Sequence, residues 1–379
     1  MTRVRRSSAP STPAREPRLR ADLALLLIAL ALQSACGSAG HAVGPAHASS
    51  RPGATSLPHP SASATPSVAV ADFSCRLPVS GFSSAPGGFV SFPGGGYAPE
   101  TSERLPSRQL LPDLGISYDA EVQRWLPVRR QQVSADGRLY AYTDFPNRLD
   151  GLSTSDGVHV VDAATGRERL RIPNRPDPAP PWFVAGFDGA SLYLWGREPW
   201  TGGHPQSVPV GLVAADPASG RVRQIAESGS WIYVAAGGAW GMDGAAGDPT
   251  YGRGRTLLRL DLGSGSVQTW LTANLALQLV GVNASGLPLV ELNSDSAGTT
   301  VAAPKLWLVR APGQLVELRT AGGFPPPELS EVGSVMEDVH GIWMMPPQPE
   351  LWLYSPNAGL RLMHRFDDAT TRTIGGGCA

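Results

Sequence analysis

Residues 158–172 read VHVVDAATGRERLRI. Val158 to Val161 form a short run rich in β-branched side chains, Asp162 to Gly166 carry turn-forming residues, and the next segment alternates polarity through Leu170 and Ile172. Two such runs around an Asp- and Gly-containing turn predict a β-hairpin, with Gly166 supplying the positive φ that a tight turn needs. An isolated hairpin is only marginally stable in water. This one therefore needs partners, and the chain contains them.

Four more hairpins of the same kind follow: VGLVAADPASGRVRQIA from Val210, TLLRLDLGSGSVQTWLT from Thr256, KLWLVRAPGQLVELRT from Lys305 and ELWLYSPNAGLRLMHRF from Glu350. Their starts are 52, 46, 49 and 45 residues apart. A second hairpin precedes each: QQVSADGRLYAYTDF from Gln131, WFVAGFDGASLYLWGRE from Trp182, WIYVAAGGAWGMDG from Trp231, LQLVGVNASGLPLVELN from Leu277 and VGSVMEDVHGIWMMPP from Val332. The unit is thus four strands in about 48 residues, with repeats over 131–172, 182–226, 231–272, 277–320 and 332–366. Four-stranded units at that period predict an all-β fold of the propeller type, because one such sheet cannot cover both of its apolar faces and a ring of them can.

QQVSADGRLYAYTD followed by VHVVDAATG resembles the TolB-type or WD40-like propeller repeat, in which a Ser-Pro-Asp-Gly turn precedes the second strand; here Ala135 stands in place of the proline. The resemblance implies the fold and says little about function, since propellers host many unrelated activities. GGFVSFPGG and ISYDAEVQRWLPV within 73–130 read as two further strands. With TRTIGGGC (371–378) they are expected to make a composite blade closed by both ends of the domain. The expected ring is six-bladed, with a five-bladed ring carrying an N-terminal appendage as the alternative.

Composition agrees with a strand-rich globular domain. The 379 residues include 44 Gly and 36 Pro, charged residues are 17%, and 42% are apolar. That is apolar enough for a core and too turn-rich for a helical bundle. Arginine outnumbers lysine thirty to one, Lys305 being the single lysine. Yet the net charge is only −1, and it falls to −5 once the six arginines and two acids of residues 1–35 are removed. No basic stripe argues for nucleic acid.

Residues 1–22 carry six arginines, residues 23–32 (LALLLIALAL) are continuously apolar, and QSACGSAG follows. Charged, apolar and small segments in that order predict an export signal over 1–35. A run of ten to fourteen apolar residues spans roughly 15–21 Å as a helix, short of the ~30 Å hydrocarbon core. Gln33-Ser34-Ala35-Cys36 resembles the lipobox of bacterial lipoproteins, with Gln33 where leucine is usual, and the resemblance implies lipidation of Cys36. Ordinary signal-peptidase cleavage after Ala35, or later at Ala-His-Ala (46–48), is the alternative, and would make the protein secreted instead of anchored to the outer side of the membrane.

Residues 36–72 are rich in Ser, Pro, Ala and Gly, bury too little to offset ordering entropy, and read as a flexible tether. His41, His47 and His59 are scattered along it. With Cys36 assigned to lipid, Cys75 and Cys378 remain at the two ends of the folded part. They are expected to form a disulfide, which an exported protein can keep.

In a propeller, the turns joining strands one to two and three to four share one end of each blade, and here they are tight. The other connections are long and varied: 146–157, 173–181, 198–209, 242–255 and 293–304. Long loops on a rigid scaffold are where binding concentrates. The candidate binding face is therefore Trp200, His204, Asp243, Tyr251, Arg253 and Arg255, a mix of aromatic and cationic groups suited to protein or glycan.

The sequence has no metal-spaced His or Cys cluster, no phosphate-cradling glycine loop and no Gly-x-Ser-x-Gly elbow. His159, His340 and His364 fall in strands or a tight turn and read as structural. The expected function is a membrane-tethered binding or scaffold propeller for envelope protein or glycan, monomeric and without catalytic residues or cofactor. The alternative is a hydrolase or lyase with Asp144, Asp243 and Asn293 lining a polar or Ca2+-binding axis.

Overall fold

The computed structural model describes residues 66–81, 87–100, 116–143, 157–174, 182–197, 209–243, 253–293, 305–320, 326–329 and 334–379. The expected signal segment, Cys36 and the tether as far as residue 65 lie outside them. Among the described residues no helix is long and apolar enough to cross a membrane.

The regular elements of the described chain are all strands apart from one 3-10 turn at Arg130–Gln132. β1 (Cys75–Gly81), β2 (Gly88–Phe92) and β3 (Gly96–Pro99) form a sheet whose fourth strand is β24 (Arg372–Ile374), from the far end of the chain. β4 (Ser117–Asp119) and β5 (Arg124–Leu126) make a separate hairpin. A three-stranded sheet follows, of β6 (Leu139–Thr143), β7 (Val158–Asp162) and β8 (Glu168–Ile172). β9 (Trp182–Asp188), β10 (Ser191–Arg197), β11 (Pro209–Ala215) and β12 (Val222–Ala226) form a four-stranded sheet in chain order.

Next comes a seven-stranded sheet: β13 (Ser230–Ala235), β14 (Gly238–Met242), β15 (Arg253–Asp261), β16 (Val267–Val282), β17 (Pro288–Asn293), β18 (Lys305–Ala311) and β19 (Gln314–Glu317). The last sheet comprises β20 (Ser334–Asp338), β21 (Gly341–Met345), β22 (Glu350–Ser355) and β23 (Gly359–Arg365). Every pairing between these strands is antiparallel.

The hairpin of residues 158–172 repeats in atomic detail. Asp162, Asp216 and Asp261 hold the same place in three units. Each donates its amide to a carbonyl five residues on (Arg167, Arg221 and Ser266; 3.0, 3.0 and 2.9 Å). Each accepts at its own carbonyl from the glycine four residues on (Gly166, Gly220 and Gly265; 2.8 Å in all three). Those glycines have φ of +68°, +71° and +73°, the left-handed conformation that costs a side-chain-bearing residue energy. Each Asp Oδ1 then accepts turn amides, from Thr165, Ala218 and Ser264 respectively.

Hydrogen bonds to the ionised carboxylate hold its pKa down. Asp162 lies at about 2, with the Thr165 hydroxyl as the largest cause. Asp216 and Asp261 are also lowered, chiefly by the amides of Ala218 and Ser264. These folded values lie below the ordinary 3.8. The turns therefore contribute fully at pH above about 4, and their contribution is lost as pH falls toward 2. An Asp162→Asn/Asp216→Asn/Asp261→Asn variant should show a shallower fall in urea midpoint between those pH values. A triple variant with the wild-type acid slope would refute this account.

Apolar clusters join each sheet to the next. Val158, Val160 and Ile172 pack with Trp182, Leu192 and Leu194; Tyr193, Trp195 and Leu212 pack with Trp231, Val234 and Leu260. Within the long sheet Trp240 and Leu257 meet Leu277, Leu279 and Val290. Leu289, Leu306 and Leu308 then meet Ile342, Met344 and Trp352. The last sheet's Trp343, Met345, Leu351 and Leu353 pack on Leu77, Val79, Val90 and Phe92 of the first. From there Phe89 touches Tyr118 and Trp125 (ring centroids 5.0 and 5.9 Å), and Leu126 and Val128 lead to Val133, Tyr140 and Val161. The chain of clusters returns to its start, which is a propeller arrangement.

The blade count is not the expected one. The arrangement gives four blades, not six or five, from fragmentary sheets: three have four strands, one has seven, and a three-stranded and a two-stranded sheet complete the set. Two departures have local causes. Residues 272–276 (TANLA) contain no Gly or Pro, and their single turn former, Asn274, stays within the strand, so β16 runs on from β15 to β17 and fuses two repeats into one sheet. The register against β15 slips between Thr272 and Leu277, where β16 passes from one partner to the other. In the first repeat, Val133 pairs with Tyr140 by a single bridge, so the first strand is lost and three remain. The segment ISYDAEVQRWLPV also departs from expectation, making its own hairpin instead of joining the composite sheet.

Candidate functional site

The site is built from the sheet ends that carry the long connections. The chain leaves β6, β10, β14 and β17 and enters β7, β11, β15 and β18 at this end, with the tight turns at the other. Trp200, His204 and Tyr251, and Asp144 of the enzymatic alternative, lie outside the described residues. Asp243, Arg253 and Arg255 are described.

Asp243 follows β14 directly. Its Oδ1 accepts from the amides of Arg255 (3.1 Å) and Thr256 (3.0 Å), and its own amide donates to the Thr256 carbonyl at 3.0 Å. The carboxylate therefore pins together the two ends of the 244–252 connection. Gly254 permits this closeness: a Cβ there would stand 2.4 Å from the Asp243 carbonyl oxygen. Arg255 is exposed beside the pin, and backbone register sets Arg253 opposite Gln278.

Similar pins occur along the same end. Thr143 Oγ1 donates to the Trp182 carbonyl at 2.8 Å, and the Trp182 amide donates to Asn174 Oδ1 at 3.0 Å. Glu291, fully buried, accepts the Leu329 amide at 3.0 Å and so fixes the crossing from β19 to β20. Gln278, also buried, lies opposite Glu291 in register. The floor beneath the connections is a set of side chains spent on backbone groups, which satisfies buried amides and holds each loop base in one place.

β9, β13, β16, β20 and β24 lie beside one another in that order. Tyr233 on β13 donates its hydroxyl to the Val280 carbonyl at 3.4 Å, and burial pushes its pKa up. The acidic residues on these strands are Asp188, Glu337 and Asp338, at the tight-turn end. Each accepts backbone amides: Asp188 from Gly237 (2.8 Å), Glu337 from Ser285 (3.4 Å), Asp338 from His340 and Cys378 (both 2.8 Å). Of the residues named in the enzymatic alternative, Asp243 follows β14 and Asn293 ends β17.

The described histidines are held by neighbours. His159 Nδ1 lies 2.6 Å from Glu168 Oε2, with the ring stacked on Tyr142 (centroids 4.9 Å, 10°). The Glu168 carboxyl is held low, first by that bond. His364 packs edge-on to Phe366, and burial pushes its pKa down. His340 stacks on Phe73 at 4.0 Å. Among the described residues the one convergence of metal-ligating side chains is Cys75, His340 and Cys378, where the two cysteines form a disulfide with Cα atoms 5.5 Å apart.

Sequence reasoning missed the pins at Thr143, Asn174 and Glu291, since a polar residue inside or beside a strand does not announce its partner. The aspartates of the turns were legible in principle, because Asp-x-x-Ser/Thr-Gly recurs three times at equivalent places.

No family model matches the chain. No curated protein matches it. Solved structures do align: TolB from Acinetobacter baumannii (11% identity, 80% of this chain and 67% of that one, TM-score 0.39); a eukaryotic initiation factor (12%, 75% and 72%, TM-score 0.29); and the extracellular domain of a one-component system from B. thetaiotaomicron (11%, 79% and 47%, TM-score 0.27).

Proposed function

We propose that this chain is an exported, membrane-tethered propeller that binds an envelope protein or glycan through its loop-bearing end and works as a recognition or scaffold module. The observation that carries the reading is the pinned floor: Asp243, Thr143, Asn174 and Glu291 commit their polar atoms to backbone groups at the loop bases. Varied connections on fixed bases suit recognition, because ordering the bases beforehand lowers the entropic cost of binding. Asp243 so engaged is a poor axial ligand, which weighs against the hydrolase or lyase alternative. The disulfide supports export, since such bonds persist in oxidising compartments. The anchor is the lipid on Cys36, the protein acts as a monomer, and no cofactor or nucleic acid enters the reading.

The test is capture from envelope extract by the wild type and by Trp200→Ala/Tyr251→Ala/Arg253→Ala, with equal thermal midpoints checked beforehand. The triple variant should lose at least about tenfold in recovery of the principal partner, the size expected when one or two anchoring aromatic or arginine side chains are truncated. Equal recovery by both proteins would remove the loop-bearing end as the binding surface.

A further inference from the structure

We propose that the Cys75–Cys378 pair, when reduced, forms with His340 a binding site for one thiophilic divalent ion such as Zn2+. The bridge that closes the ring is then exchangeable between a disulfide and a metal thiolate.

Three segments distant in sequence deliver the ligands: Cys75 opens β1, Cys378 follows β24, and His340 sits in the turn between β20 and β21. Their ligating atoms all lie within 4.8 Å of one another. All three residues are half-buried, so an ion can enter and yet be partly screened from water.

Each ligand is positioned by something other than the sulfur–sulfur bond. Asp338 accepts the His340 amide with Oδ1 and the Cys378 amide with Oδ2, both at 2.8 Å, and so holds two of the three from one side chain. Arg76 and Ala379 exchange backbone hydrogen bonds (3.0 and 3.2 Å), which keeps the residues beside the two cysteines together. The His340 ring stacks on Phe73 with planes 16° apart. A face-on stack fixes the ring while leaving its nitrogens, whose lone pairs lie in the ring plane, at its edge.

Two thiolates and one imidazole are the soft, mixed sulfur and nitrogen donors that zinc prefers, and water completes four-coordination. With Zn–S bonds of about 2.3 Å, two thiolates on a tetrahedral ion stand roughly 3.7 Å apart. Side chains on Cα atoms 5.5 Å apart reach that separation without backbone movement.

The chemistry balances. A dithiol reductant transfers two electrons and two protons to the disulfide, giving two thiols and becoming a disulfide itself. Binding of the ion then releases both thiol protons and forms two metal–sulfur bonds. Affinity should therefore rise with pH.

The experiment titrates the exported chain with Zn2+, and separately with Co2+ as a spectroscopic probe. Four samples are compared: oxidised wild type, reduced wild type, Cys75→Ser/Cys378→Ser, and reduced His340→Ala, each followed by circular dichroism. The reduced wild type should take up one ion per chain, with a sulfur-to-cobalt charge-transfer band and tetrahedral-type visible absorption. The oxidised protein and the double serine variant should show neither. His340→Ala should bind at least about tenfold more weakly. Equal binding by oxidised and reduced protein, by the serine variant, or by His340→Ala would overturn the proposal. So would a reduced chain that unfolds and is not refolded by Zn2+.

Discussion

Reduction of the Cys75–Cys378 bridge in metal-free buffer is expected to lower the thermal midpoint by on the order of 10 °C. The bond closes a loop with a sequence separation of 303. The chain-entropy estimate for so long a loop is roughly 5 kcal/mol, near the upper end of what native disulfides contribute. For a domain above about 150 residues each kcal/mol moves the midpoint by roughly 2–4 °C, and the low end suits a chain of this size. The geometry gives a reason to expect much of that figure. β24 is only three residues long and pairs with β1 through Val79↔Ile374, Ser80↔Thr373 and Gly81↔Arg372. Beyond it, the ends are joined by the apolar cluster around Trp343, by the paired Arg76–Ala379 bonds, and by single hydrogen bonds such as Ile374 to Ser334 and Tyr118 to Gly375. Calorimetry with and without a phosphine reductant and a chelator measures the effect. Cys75→Ser/Cys378→Ser should reproduce it and should not respond to the reductant. An unchanged midpoint on reduction would mean that the seam holds without the bond.

The hairpins were legible because their two signals are local: strand residues of the right period, and turn residues that only certain backbone conformations need. Asp162 and Gly166 announce their turn whatever lies around them. The extent of each sheet was less legible, because it depends on what stops a strand. No glycine or proline between Leu271 and Leu277 stops β16, Asn274 alone does not break it, and no residue type marks the place where it changes partner. β1 was hidden for the opposite reason. CRLPVSG contains Pro78, which cannot donate to a ladder, yet it sits inside a sheet by accepting the Gly375 amide at its carbonyl. The pairing of Cys75 with Cys378 followed once Cys36 was set aside for lipid and both ends of the domain were expected in one composite blade.

The candidate site was legible only in outline. Connection length and composition marked one end of the sheets, but whether a polar side chain there faces a ligand or a backbone amide depends on where the chain returns. Asp243 reads as an open carboxylate in sequence. In the fold it closes a loop base, because Gly254 lets the returning strand come within reach. Glu291 is the stronger instance: its partner, Leu329, is 38 residues away, and hydrophobic periodicity carries no record of such a bond.

Trp343→Ala is expected to destabilise the protein by about 3–5 kcal/mol, the range for truncating a buried tryptophan. Trp343 is fully buried in the cluster shared by the first and last sheets. Its ring stacks on Phe92 (5.3 Å, 29°) and meets Phe73 edge-on (6.1 Å, 84°). Its indole N–H donates to Asp338 Oδ2 at 2.7 Å, the oxygen that also takes the Cys378 amide. Truncation opens a cavity at the seam and removes one of the donors that orient Asp338, so both supports of the closure weaken together. Trp343→Phe separates them. It keeps most of the packing and loses the charge-assisted hydrogen bond, at a cost of roughly 1.5–3 kcal/mol. Urea midpoints should rank wild type, Phe and Ala in that order, with Val222→Ala on an exposed strand end within about 0.5 kcal/mol of wild type. Hydrogen exchange should place the early loss of protection in Trp343→Ala at β24 and β1. A cost below about 1 kcal/mol, or exchange that rises evenly around the ring, would show that this cluster is not what holds the two ends of the domain together.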